Sequence, residues 1–205
     1  MKAPARPAAT PRLTYPWAEL YALESQVSRS KSPGTPAARG RPRRPIPRHN
    51  TTISLTSAEA QLLTELSATL ATHVGHISQG QVGGLALHLL ERRLRAANNG
   101  RLALPDDITT WQFLAMLLRL EAPPQPELPL ARQKKTIPLT DEEQRLLREL
   151  TAAIGRRIAQ VSLGEVGGLA LRMLASRMRA VGGEDMALPD EARDWDSVVR
   201  MLDVA

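Results

Sequence analysis

The chain of 205 residues is 42% hydrophobic but only 3% aromatic, so we expect a mainly helical core of aliphatic side chains, and the length excludes a large multidomain enzyme. It has no cysteine, which excludes disulfides, thiolate catalysis and cysteine-based metal sites. The formal net charge of +6 is uneven, because residues 1–50 carry 10 − 2 = +8 and residues 51–205 carry 17 − 19 = −2. A cationic tail on a nearly neutral body is typical of nucleic-acid binding, with an anionic membrane surface as the alternative.

The beginning of the chain bears on its location. No run of 18 apolar residues occurs, and residues 1–16 lack the apolar segment of a secretory signal. An organelle transit peptide is the alternative, but the prolines here would interrupt its amphipathic helix. We therefore expect a cytoplasmic, nucleoid-associated protein without a membrane partner.

Residues 1–48 are predicted to form a disordered basic tail, because proline and scattered arginine leave too little apolar surface to offset the entropy of ordering. One island at about 16–27 places Trp17, Leu20 and Tyr21 at helical spacing and predicts a short helix. This helix either docks on a protein partner or rests on the chain's own body. Its candidate contact residues are Tyr15, Trp17, Leu20 and Tyr21.

A second element of the tail, the motif at 39–44, resembles an AT-hook, whose core is Arg-Gly-Arg-Pro. The resemblance implies that an extended backbone follows the minor groove of A/T-rich DNA, where arginine gains from the strong negative potential. A merely solvated run of charge is the alternative. The implied minor-groove residues are Arg39, Gly40, Arg41, Pro42 and Arg43.

The rest of the chain is a duplication. Sliding the sequence by 84 positions aligns residues 52–118 with residues 136–202 without a gap, and 28 of the 67 pairs are identical. We place the first repeat at 49–120, a proline-rich, extended linker at 121–132 and the second repeat at 133–205.

Each repeat opens with alternating apolar and polar residues, which predicts one short strand with Ile53 and Leu55, or their counterparts, on one side. A lone strand has no ladder partner within its repeat, so the strands of two repeats must pair. We favour pairing within one chain. Pairing between two chains is the alternative, because the extended linker is long enough for both.

Three helices are predicted to follow each strand. Capping boxes that begin at Thr56 and Thr140 open the first helices, and boxes that begin at Ser78 and Ser162 open the second helices. Polar loops end the second helices, and a shorter third helix follows. The second helices run to about Ala97 and Val181, and the third helices start at Pro105 and Pro189 and contain Trp111 and Trp195.

This strand–helix–helix order resembles the ribbon-helix-helix family of DNA-binding proteins. The resemblance rests on Thr52–Thr56 leading into Glu59 and a leucine stripe, and on Ser78 opening a helix through Val82 and Leu90. It implies a mainly α fold in which two strand–helix–helix repeats, each with an extra helix, form a ribbon-helix-helix pseudodimer. Association of chains into a homo-oligomer through the third helices is left open.

In that family the outward side chains of a two-stranded ribbon read base edges in the major groove, and the N-terminus of the second helix lies against a phosphate. An ordinary helix cap is the alternative reading of the two serines. Pro138 departs from the pattern, because its side chain has no donor or acceptor, and this puts readout by the second strand in doubt. The implied base-reading residues are Asn50, Thr52, Ser54, Lys134 and Thr136, and the implied phosphate contacts are Ser78, Gln79, Gly80, Ser162 and Gly164.

Several charged and small residues need an explanation of their own. Glycine inside a helix costs about 1 kcal/mol relative to alanine, so we expect the pairs at 83–84 and 167–168 where the two second helices cross closely. A phosphate-binding loop is the alternative, but its spacing does not fit. Arginines near the ends of the second helices are expected to complement the dipoles of those helices. They are Arg92, Arg93, Arg95, Arg177 and Arg179.

We predict no metal site, no cofactor and no catalysis. The histidines at 73, 76 and 88 are replaced by Arg157, Gln160 and Arg172 in the second repeat, so cationic side chains facing DNA or solvent are expected instead. No catalytic constellation stands out. The expected function is sequence-specific binding of double-stranded DNA by a transcriptional repressor, mobile-element regulator or nucleoid-associated protein. The alternative is a protein-interaction or dimerisation scaffold whose only nucleic-acid contact is the tail.

Overall fold

The structure of the protein is a computed structural model that describes residues 47–120 and 131–204 together with Trp17, Leu20 and Tyr21, which are helical. The rest of the predicted tail, with Tyr15 and the AT-hook-like motif, and most of the linker lie outside the described residues. The described chain is mostly helical and has a small two-stranded antiparallel sheet. The elements are β1 (His49–Thr56), α1 (Ser57–Val74), α2 (Gln79–Ala97), α3 (Trp111–Leu117), β2 (Arg132–Leu139), α4 (Asp141–Gly155), α5 (Leu163–Gly182) and α6 (Trp195–Val204).

The first two helices of each repeat begin where the sequence predicts, and each begins with a capping box. At α1 the Thr56 hydroxyl accepts a hydrogen bond from the Glu59 amide at 3.1 Å, and the Glu59 carboxylate accepts from the Thr56 amide at 2.9 Å. The box therefore satisfies two amides that the helix itself leaves unpaired. The second helices end at Ala97 and Gly182, within one residue of the prediction.

The predicted third helix with Trp111 is present, but its predicted start at Pro105 is wrong, because α3 begins only at Trp111. Ile108 is buried, so the preceding residues turn onto the core before Thr110 caps the helix by accepting from the Phe113 amide. The third helix of the second repeat is also present, and its predicted start at Pro189 is wrong in the same way. In the second repeat the buried residue is Ala192, the cap is Asp194, and the helix starts at Trp195.

The strands β1 and β2 pair antiparallel within the chain, with Thr52 opposite Thr136. Because 52 + 84 = 136, the central pair joins two equivalent residues, and the ribbon is related to itself by a local two-fold rotation. Alternate side chains of the ribbon face the helices. The apolar ones are nearly fully buried, and they are Ile53, Leu55, Ile137 and Leu139.

The two repeats share one core. The second helix of each repeat packs on the strand of the other, α5 on β1 and α2 on β2. The first helices pack on both second helices, α1 on α2 and α5, and α4 on α5 and α2. The second helices also pack on each other. A repeat separated from its partner would expose apolar faces of its strand and helices to water, so the core is complete only when both repeats are present.

Glycine allows the first turn of each second helix to touch the opposite strand. A Cβ atom at Gly80 would lie 1.9 Å from the carbonyl oxygen of Pro138, and one at Gly164 would lie 1.9 Å from the carbonyl oxygen of Ser54. No side chain fits at such distances, so both positions require glycine. These contacts fix each second helix against the ribbon.

The expectation that the central glycine pairs mark the crossing of the two second helices is wrong. A Cβ atom at Gly84 would meet the Glu143 carboxylate and the Tyr21 hydroxyl, and one at Gly168 would meet the Glu59 carboxylate. The second glycine of each pair therefore makes room for a buried carboxylate of a first helix rather than for the other second helix.

Arg95 and Arg179 lie in the last turns of α2 and α5, as expected. Two of the other arginines at these helix ends bind the third helices instead. Arg93 donates to the carbonyl oxygen of Leu117 at 3.0 Å, and its counterpart Arg177 donates to the carbonyl oxygen of Leu202. These guanidinium groups thus satisfy the last carbonyls of the third helices, where a cation also complements the helix dipole. They tie the third helices to the core.

Gly80→Ala is expected to lower the free energy of unfolding by about 2–4 kcal/mol, because its Cβ would meet the backbone carbonyl of Pro138 and force α2 away from β2. The matched control is Gly83→Ala, whose Cβ would lie 3.5 Å from Cγ2 of Ile137. It should leave stability unchanged or raise it by up to about 1 kcal/mol. Urea unfolding followed by circular dichroism measures both, and equal losses would contradict the close approach.

Candidate nucleic-acid interface

The outward face of the ribbon carries a row of polar side chains. Asn50 lies opposite Pro138, Thr52 opposite Thr136, and Ser54 opposite Lys134. Directly opposed residues of an antiparallel pair point to the same face, so the structure brings all five predicted base-reading residues together. Asn50, Thr52, Lys134 and Thr136 are exposed, and Ser54 and Pro138 are half-buried.

The charge of this face is mildly positive. Neither strand contains an aspartate or glutamate, and Lys134 projects from the outward face. At the end of the ribbon, the imidazole of His49 lies 3.6 Å from the carboxylate of Asp141, and both side chains are exposed. The row can therefore offer amide, hydroxyl and ammonium groups to an anionic partner.

The N-termini of the second helices adjoin the ribbon at two positions related by the local two-fold rotation, beside Pro138 and beside Ser54. Ser78 and Ser162 cap them, and each hydroxyl accepts from the third amide of its helix at 3.2 Å. The first two amides of a helix remain available to an anion. The cap of α2 uses neutral Gln81, whereas the cap of α5 uses the carboxylate of Glu165, so the start of α2 carries less negative charge than the start of α5.

Behind the ribbon, two arginine–glutamate pairs join the repeats. Arg48 donates to the Glu143 carboxylate at 2.8 Å, and Arg132 donates to the Glu59 carboxylate at 3.2 Å. Each arginine also reaches the strand carbonyl of the other repeat, Pro138 at 3.4 Å or Ser54 at 3.0 Å. The pairs are counterparts at the offset of 84, and each joins an arginine beside the start of one strand to the first helix of the other repeat.

This network was missed in the sequence, although a signal existed. The arginines recur four residues before the equivalent threonines, at 48 and 132, and the capping glutamates recur at 59 and 143. Each glutamate therefore has two roles, since it caps its own helix and pairs with the arginine of the other repeat. Removal of one partner from such a buried pair leaves an uncompensated charge.

The short aromatic segment of the tail packs on the body of the protein. The indole of Trp17 stacks on the His88 ring with centroids 4.7 Å apart, and the Tyr21 ring meets the Trp195 ring edge-on at 5.1 Å. The Tyr21 hydroxyl donates to the Glu143 carboxylate, and the Arg48 guanidinium lies 5.3 Å from the centre of the Tyr21 ring. Leu20 remains 38% exposed. For Trp17 and Tyr21, the chain's own body is thus the surface contacted.

The surroundings of Tyr21 perturb its ionisation. Burial raises the pKa of the Tyr21 hydroxyl well above its ordinary value, and the neighbouring Glu143 carboxylate raises it further. The positive charge of Arg48 opposes this shift but does not overcome it. Tyr21 is therefore a neutral donor that holds the tail segment to a buried carboxylate.

The side chains at 73, 76 and 88 were expected to face DNA or solvent, and His76 is exposed. His88 is 6% exposed and stacks on Trp17, so the prediction that it faces DNA or solvent is wrong. Its imidazole lies 3.9 Å from the Glu91 carboxylate, and this neighbour lowers the pKa of that carboxyl. Residues 47–120 and 131–204 contain no group of three side chains suited to a metal ion.

None of the described helices has the length and apolar character needed to cross a bilayer. Comparison with known protein families, with curated proteins and with solved structures found no match.

Tyr21 is expected to stay protonated in the folded protein at about pH 10, where an ordinary tyrosine ionises. Because its pKa is higher in the folded than in the unfolded chain, its contribution to stability is complete below about pH 10 and is lost as the pH rises towards the folded-state pKa. Alkaline titration by phenolate absorbance should show that one of the two tyrosines ionises late. Tyr21→Phe should remove only the late step, and ordinary ionisation of both residues in the native protein would contradict the buried contact.

Proposed function

We propose that the two repeats form a ribbon-helix-helix pseudodimer that binds double-stranded DNA and reads base edges in the major groove. The observation that carries this proposal is the outward face of the ribbon. Thr52 and Thr136 meet there at a local two-fold centre, with the other predicted base-reading side chains on both sides. A two-stranded ribbon fits the width of the major groove of B-DNA.

The side chains of this row suit base recognition. The Asn50 amide can donate one hydrogen bond to adenine and accept another from it, and the Lys134 ammonium can donate to the acceptor edge of guanine. The central threonines each offer a hydroxyl and a methyl group, which suits the thymine methyl. Because Asn50 and Lys134 are counterparts at the offset of 84, the two halves of the ribbon differ in preference.

The duplication therefore predicts the form of the target. A local two-fold axis in the protein favours an inverted repeat in the DNA, since dimers of this kind match their own symmetry to the site. Asn50 against Lys134, and Ser54 against Pro138, break that symmetry at equivalent positions. The proposed target is accordingly an imperfect inverted repeat with adenine favoured in one half and guanine in the other.

Phosphate contacts complete the proposed complex. The N-termini of α2 and α5 lie beside the ribbon, where free amides and the helix dipole favour an anion. The repeats carry little net charge, so most of the electrostatic attraction comes from the basic tail, with the motif at 39–44 placed in an adjacent minor groove. Repression of transcription, control of a mobile element or organisation of the nucleoid would each use such binding.

The double variant Thr52→Ala with Thr136→Ala is expected to weaken binding to the preferred duplex by about tenfold or more, because it removes two base-edge contacts at the centre of the ribbon. Binding to a duplex of unrelated sequence should not change, since phosphate contacts remain. The matched control is Thr109→Ala, an exposed loop threonine. Fluorescence anisotropy at fixed salt measures all three proteins.

An unchanged preference for the target duplex in the double variant would contradict readout by the ribbon. That result would favour the second candidate, a scaffold in which the repeats bind protein and only the tail contacts nucleic acid. Specific affinity that falls equally in the Thr109→Ala control would also contradict the assignment, because Thr109 lies outside the ribbon.

A further inference from the structure

The site that holds the aromatic segment has a counterpart in the other half of the molecule. In the first site, Tyr21 lies against Gly84, Glu143 and Trp195, and Trp17 stacks on His88. The offset of 84 relates Gly84, Glu143 and Trp195 to others of identical type. We call the second set, together with the counterpart of His88, the twin site, and it consists of Gly168, Glu59, Trp111 and Arg172.

The twin site is less covered than the first site. The side chain of Arg48, above the Tyr21 ring, is 1% exposed, whereas its counterpart Arg132 is 27% exposed. Glu143 is 2% exposed and Glu59 is 7% exposed, again at the side-chain level. Tyr21 lies against Glu143 and Arg48 at the first site, and neither Tyr21 nor Trp17 has an aromatic counterpart at the offset of 84.

Polar groups of the twin site retain unused bonding capacity. Glu143 accepts from the Tyr21 hydroxyl through Oε1, whereas both hydrogen bonds described for Glu59 end on Oε2. The Nε atom of Arg172 is buried and has no hydrogen-bond partner among the described residues. A carboxylate oxygen and a planar guanidinium thus stand where the first site engages a phenol and an indole.

The apolar surroundings distinguish the twin site further. Trp195 is 2% exposed, but Trp111 at the start of α3 is only half-buried. On the same helix Phe113 is 45% exposed and Met116 is 62% exposed. Their counterparts on α6 are polar, namely Ser197 and Arg200. The first repeat therefore carries large apolar side chains at the surface of α3, where the second repeat carries polar ones.

These observations lead us to infer that the twin site binds a helical segment of a partner protein with a tryptophan and a tyrosine four residues apart. The spacing is that of Trp17 and Tyr21, the pair that fills the first site. The partner's tyrosine donates to Oε1 of Glu59, and its tryptophan stacks on the Arg172 guanidinium. The chain cannot fill both of its sites, because it has one such segment and that segment occupies the first site.

The test uses the full chain and a fluorescein-labelled synthetic peptide of residues 13–26. The wild-type chain should bind one peptide, and the variant Trp17→Ala with Tyr21→Ala, whose first site is empty, should bind two. Isothermal titration calorimetry gives the stoichiometry, and anisotropy gives the affinity. A wild-type chain that binds no peptide at about 1 mM would overturn the inference.

Matched variants locate the bound peptide. Arg172→Ala should weaken binding to the wild-type chain by about tenfold or more, since it removes the stacking cation. Arg179→Ala, an exposed arginine two turns along the same helix, should not change it. A peptide with phenylalanine in place of Tyr21 should also bind about tenfold less tightly, because it lacks the donor to Glu59. This last arm is independent of any effect of a substitution on folding.

Equal losses in Arg172→Ala and Arg179→Ala, or full affinity of the phenylalanine peptide, would overturn the proposed contacts. Sedimentation of the chain alone identifies a different occupant. If the wild-type chain forms concentration-dependent oligomers that the peptide dissociates, the twin site binds the segment of a second copy, and the assignment to a partner protein is wrong.

Discussion

The pairing of Thr52 with Thr136 is the constraint on which the rest of the structure depends. Each repeat supplies one strand and no partner for it, so the backbone groups of that strand can be satisfied only by the other repeat. The register then places each second helix over the opposite strand, at Gly80 and Gly164. Because each second helix packs on the strand of the other repeat, the two repeats share one core, and two arginine–glutamate pairs join them.

Local signals allowed much of the fold to be predicted. The caps at Thr56 and Ser78 are visible in the sequence, because donor and acceptor lie three residues apart on the same chain segment. The outward row of the ribbon follows from alternation alone. The start of α3 could not be predicted in this way, because the burial of Ile108 in a shared core decides where the chain turns, and proline in a first turn is only a weak preference.

The contacts that were missed join residues distant in sequence. Tyr21 and Glu143 are 122 positions apart, and Arg48 and Glu143 are 95 apart, so no local pattern links them. The central glycines show the same limit. Glycine destabilises the interior of a helix, so its presence there indicates a close neighbour that excludes a side chain. The sequence does not reveal that the neighbour of Gly84 is a carboxylate. The duplication marks the paired arginines and glutamates, because they recur in both halves of the chain. It does not mark Tyr21, because the aromatic segment occurs once.

The central claim is that the repeats, and not only the basic tail, read DNA sequence. The most direct measurement is selection from a random duplex pool by the full chain with the arginines at 39, 41 and 43 replaced by alanine, which removes the contribution of the tail motif. The selection is done at about 0.15 M salt, because salt weakens nonspecific phosphate contacts. The account predicts enrichment of an imperfect inverted repeat with adenine favoured in one half and guanine favoured in the other. A pool that remains random after selection would contradict it.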